Sequence, residues 1–145
     1  EGTVAIAVSQ SGETADTVAA LREVQTRGAV TLGVVNGVGS VIARETDAGV
    51  YLHAGPEIGV ASTKAFTAQI AVLAMIALDL GRRRHLSPER TAEVVDELAA
   101  IPDKVATALR LDRQIARLAL RLAERHNWLY LGRGVNFPVA LEGAL

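Results

Sequence analysis

The sequence predicts an α/β fold: a parallel sheet covered by helices on both faces, a three-layer αβα sandwich. Three observations carry this. Over the first 54 residues, short apolar runs rich in Val and Ile alternate with segments of helical periodicity. The runs are apolar on both faces, as strands of a parallel sheet are when helices cover each side. Finally, 50% of the 145 residues are hydrophobic but only 3% aromatic, so the core is built from Ala, Val, Leu and Ile in a chain long enough to have one.

Each element has its own signal. Residues 3–8 read as a buried strand. Residues 14–27 read as a helix, with Val18, Leu21 and Val24 on one face and Gly28 as its stop. Residues 29–35 form the next strand, "NGVGS" turns into a short helical piece at 41–44, and "GVYLHA" (49–54) is a third strand. Residues 61–81 are a very apolar helix, expected to be buried on most sides. Its apolar stretch is interrupted by Thr67, Gln69 and Asp79 and is short of the ~20 residues a membrane span needs. Arginines 82–84 suit the negative end of its dipole. Ser87-Pro88 is a strong helix start, another helix begins at Pro102, and Ile115, Leu118, Ala119 and Leu122 give 112–125 an amphipathic face. "WLYL" (128–131) reads as a fourth strand, followed by Gly132-Arg133-Gly134 and a helix from about Phe137. Thus βα units bracket a helical connector at 82–126, and 127–145 reads as the start of a new domain.

Chemistry-bearing residues gather at strand ends. After the first strand come Ser9, Gln10, Ser11, Gly12, Glu13 and Thr14. A turn from a parallel strand into a helix offers free backbone N–H groups and a positive dipole end. The hydroxyls and amide add neutral donors, and glycine lets the backbone approach closely. This composition suits a phosphate held without a lysine or arginine, with Glu13 turned to solvent or capping the N-terminus of the helix that follows. An ordinary N-cap would use one of those hydroxyls, and the residues alone leave both readings open. A second cluster, "GPEIGVASTKAF" (55–66), repeats the pattern with Ser62 and Thr63 at a helix start. It reads either as a second wall of the same crevice or as a rigid, well-capped connector. Gly132-x-Gly134 lacks the rest of a dinucleotide motif. His53, His85 and His126 have no ligand spacing, so no metal site is expected. With no cysteine and a net charge of -1, disulfides, thiolate chemistry and a nucleic-acid footprint are excluded. No membrane or nucleic-acid partner is expected.

Together "SQSGETADT", "EIGVASTKAF" and "LGRG…ALEGAL" resemble the sugar isomerase (SIS) domains of the glutamine-dependent sugar-phosphate aminotransferase family. The resemblance implies a flavodoxin-like topology present as a fragment. Residues 1–81 would be a first SIS domain lacking its first βα unit, with a second SIS domain starting at 127. It implies an enzyme that makes glucosamine 6-phosphate from fructose 6-phosphate and glutamine, with a glutaminase domain on the same full-length chain, a cytoplasmic homodimer and no cofactor. Ser9, Gln10, Ser11 and Thr14 would bind the sugar phosphate, while Val60 and Ser62 would line the sugar end of the pocket. The family's catalytic lysine and glutamate follow the "ALEGAL" motif, so no catalytic residue is expected within this chain, which alone is expected to be inactive. A non-catalytic SIS module that senses a sugar phosphate in a regulator is the alternative.

Overall fold

A computed structural model describes residues 2–59 and 61–145. The chain divides into two compact units, Glu1–His85 and Leu86–Leu145. The first unit holds β1 (Val4–Ser9), α1 (Ala15–Thr26), β2 (Val30–Val35), α2 (Val41–Glu45), β3 (Ala48–Tyr51) and α3 (Thr63–Arg82). The strands form one parallel sheet in the order β1-β2-β3. Because their register places Ser9 beside Val35 and Val35 beside Tyr51, all three strands end in one row. The loops that follow them therefore emerge from one end of the sheet, where open parallel sheets bind ligands.

Side-chain alternation explains the layers. Ala7, Val35 and Tyr51 face α1 and α2, where Val18, Leu21 and Ile42 complete a core cluster. Each buried aliphatic side chain of this kind contributes about 1.5–3 kcal/mol. On the opposite face, α3 packs against β2, and its Ala65 and Val72 are buried. Arg22 on α1 holds Glu45 at the end of α2 through two hydrogen bonds, Nε–Oε2 at 2.8 Å and Nη2–Oε1 at 2.6 Å. The guanidinium keeps the Glu45 carboxyl below the usual carboxylate range. At the start of β2, Asp47 accepts from the Thr31 N–H and hydroxyl, both at 2.8 Å. The backbone N–H of Thr31 is the main reason the Asp47 carboxyl is also held low.

Several expectations change. The third strand stops at Tyr51, because His53 takes a left-handed φ of 53° and bends the chain out of the sheet. Helix α3 is not buried on most sides: one face meets the sheet while Ile70, Met75 and Leu80 are exposed, since a three-stranded sheet covers only one stripe of it. Its 20 residues make it long and apolar enough to cross a membrane by length and composition. Arg82 and Arg83 both engage Asp79.

The second unit contains α4 (Pro88–Ala99), α5 (Ile101–Leu109), α6 (Asp112–Leu122) and α7 (Asn136–Gly143). Ser87 caps α4, its Oγ accepting from Arg90 N at 3.2 Å, with Pro88 in the first turn. The fourth strand expected at 128–131 does not form. Those residues pair with none of the described strands, and a strand exists only in its ladder. The indole of Trp128 donates instead to the carbonyl of Arg125 at 3.1 Å.

Candidate functional site

The loop between β1 and α1 carries Ser9, Gln10, Ser11 and Thr14. Ser9 closes β1 and is 7% exposed, and its Oγ accepts the N–H of Gly12 at 3.0 Å. One step on, Ser11 Oγ accepts the N–H of Glu13 at 3.1 Å. A hydroxyl that accepts from the backbone keeps its own O–H to donate, so both serines are fixed in place with a donor left over. Thr14 is the N-cap residue of α1, yet its side chain makes no capping bond. The first helical bond is Val18 N to Thr14 O, 2.9 Å. The amides of Ala15, Asp16 and Thr17 are the orphan donors of the first turn.

Two glycines let this loop pack against the next one. Gly12 has a φ of +71°, and a Cβ there would lie 2.0 Å from the Oγ of Ser40. Ser40 is 5% exposed, and its Oγ is the buried side-chain polar atom without a hydrogen-bond partner among the described residues. At Gly37, a Cβ would lie 2.3 Å from the carbonyl oxygen of Ser11. The β2–α2 loop then binds the first loop along its backbone. Asn36 N and Gly37 N both donate to the Gln10 carbonyl at 3.1 Å, and Ile42 N donates to the Gly12 carbonyl at 3.0 Å.

Glu13 has a more specific role than either expectation gave it. Its Oε1 accepts the N–H of Val41 at 2.8 Å, capping α2 rather than the helix it precedes. The carboxylate is thereby drawn onto a neighbouring amide, and Ser40, the N-cap residue of α2, makes no capping bond of its own. The β3–α3 connection repeats the device. Glu57 Oε1 accepts the N–H of Ala65 at 2.9 Å, and the N-cap residue Ser62 makes no side-chain capping bond. Val60 lies outside the described residues. Chemically, the arrangement presents neutral O–H and N–H donors at a helix start, a set able to hold a phosphate dianion.

The expected residues of the first loop thus lie together at the β1–α1 connection, and Ser62 precedes the helix after the third strand at the same end of the sheet. Sequence reasoning missed Asn36, Gly37 and Ser40. The signal was present in "NGVGS", which follows a strand's carboxyl end as the other two clusters do. Among the described residues, no group of three His, Asp or Glu side chains converges as a metal site would require.

The sequence profile of the SIS domain matches residues 1–79. The chain is 57% identical over 142 residues to a glutamine–fructose-6-phosphate aminotransferase (isomerizing) of Chlorobaculum tepidum, covering 98% of this chain and 23% of that protein. It is 49% identical over 138 residues to the human glutamine–fructose-6-phosphate aminotransferase (isomerizing) 2, covering 95% of this chain and 20% of that one. The C-terminal domain of glucosamine-fructose-6-phosphate aminotransferase from Francisella tularensis superposes with a TM-score of 0.94 at 38% identity, over 99% of this chain and 41% of that chain. The chain therefore spans about a quarter of the length of the curated relatives it matches.

Proposed function

Because this chain belongs to the SIS domain family, we propose that it is the sugar-phosphate-binding part of the isomerase half of an enzyme that makes glucosamine 6-phosphate from fructose 6-phosphate and glutamine. Ser9, Gln10, Ser11 and Thr14 hold the phosphate, and Ser62 lines the sugar end of the pocket. The observation that carries the reading is the state of the hydroxyls. Ser9 and Ser11 accept backbone N–H groups and keep their O–H donors. Thr14 and Ser62 make no side-chain capping bond, and Glu13, the carboxylate that would repel a phosphate, is bonded to Val41.

In the intact enzyme the open-chain ketose would take ammonia released from glutamine at its ketone carbon, losing water. A general base would then move a proton between the two neighbouring carbons to give the aldose. The present residues bind and orient the substrate for those steps and perform none of them. A glutaminase domain on the same full-length chain, a homodimer and a cytoplasmic location belong to the same proposal. The sensor alternative is not favoured, since the high-identity relatives over the whole chain carry the aminotransferase name.

The test is the double variant Ser9→Ala/Ser11→Ala in the full-length protein, titrated with glucosamine 6-phosphate. Loss of two ligand hydrogen bonds, each about 1 kcal/mol, should weaken binding more than roughly tenfold. Unchanged affinity would overturn the assignment.

A further inference from the structure

The amide of Asn36 joins the two loops that the proposal above assigns to opposite ends of one ligand. Its backbone N–H donates to the Gln10 carbonyl at 3.1 Å, inside the first loop. Its side chain reaches the β3–α3 connection, where Nδ2 donates to the Gly55 carbonyl at 2.7 Å and Oδ1 accepts the N–H of Ala54 at 2.9 Å. The segment it grips is a bend made by two left-handed residues, His53 at φ 53° and Gly55 at φ 74°. A left-handed conformation is unfavourable for a residue with a Cβ, so His53 holds this bend because neighbouring contacts fix it. Both sides of the Asn36 amide are bonded to the two residues that follow His53.

We infer that Asn36 is a positioning residue that sets the spacing between the phosphate loop and the sugar loop, resting on the phosphate reading given above. A ligand spanning both loops needs that spacing, whereas one held by the first loop alone does not. The prediction therefore separates two probes: glucosamine 6-phosphate, which spans the site, and inorganic phosphate, which occupies one end of it.

In the full-length protein, Asn36→Ala should weaken glucosamine 6-phosphate binding about tenfold while inorganic phosphate changes by less than about twofold. Asn36→Asp keeps an acceptor for the Ala54 N–H but loses the donor to Gly55, and should fall between wild type and Asn36→Ala. Equal losses for both probes would reduce Asn36 to a support of the first loop and overturn the inference, as would no loss for either. If Asn36→Ala does not fold, the same comparison is read from Asn36→Asp. Ser9→Ala/Ser11→Ala, run alongside, separates the two claims. If the double variant binds inorganic phosphate as wild type does, the phosphate reading itself fails and this inference falls with it. If only the Asn36 variants behave as wild type, the spacing role alone is lost.

Discussion

Helices α3 and α4 both begin after a serine, and the two serines are used differently. Ser87 turns its Oγ onto Arg90 N of its own helix, as an N-cap serine ordinarily does. Ser62 makes no such bond, and Glu57, five residues earlier, caps α3 through Ala65 instead. The same substitution of roles recurs at α2, where Glu13 arrives from another loop and Ser40 is left uncapping. At α2 and α3, glutamates satisfy helix amides while Ser40 and Ser62 make no capping bond. In the second unit, where no such loop cluster is found, the hydroxyl stabilises its own helix. On the function proposed above, the contrast separates a helix start that supports the fold from one that would face a ligand.

The contrast breaks most readily at Gly12. Gly12→Ala places a Cβ against Ser40 in a left-handed conformation and should cost about 2–5 kcal/mol of stability, with loss of glucosamine 6-phosphate binding. Thermal melting and ligand titration of the full-length variant measure both, and a variant that binds normally would mean the loop contact is dispensable. A matched pair comes next. Ser87→Ala should lower stability by about 1 kcal/mol in urea unfolding and leave ligand affinity alone. Ser62→Ala should do the reverse, costing less than about 0.5 kcal/mol of stability and roughly fivefold in sugar-phosphate affinity. Equal stability losses would erase the distinction. Glu57→Ala should then cost about 1 kcal/mol, the loss that Ser62→Ala does not show, and an unmoved urea midpoint would deny it the capping role.

The smallest effect is one of pH and sharpens the comparison from the far end of the strands. The folded state holds the Asp47 carboxyl low through the Thr31 N–H. Its contribution is therefore complete above the ordinary carboxylate range and is lost as pH falls through the folded value. The urea midpoint should decline on acidification below about pH 4, and less steeply in Asp47→Asn. Identical slopes for the two proteins would remove Asp47 from the account.

Much of this was legible in the sequence because the signals were local. The alternation of apolar runs and helical periods gave the parallel sheet and α1, and Ser87-Pro88 gave the start of α4. The donor-rich stretch from Ser9 to Thr14 marked the loop itself. What was not legible depended on contacts between distant residues. Nothing near Glu13 says that its partner is Val41, and nothing near Asn36 points to Gly55. The end of β3 depended on His53 adopting a conformation that its residue type disfavours. "WLYL" has the composition of a strand, but composition cannot supply the neighbour a strand requires.

Strand β1 has a consequence for handling the protein. It lies at the margin of the sheet, and Val4, Ile6 and Val8 are exposed along it. A strand margin with an apolar side is a template for pairing with another such strand. Prepared by itself, this chain would tend to self-associate as its concentration rises, and light scattering across a dilution series measures that tendency.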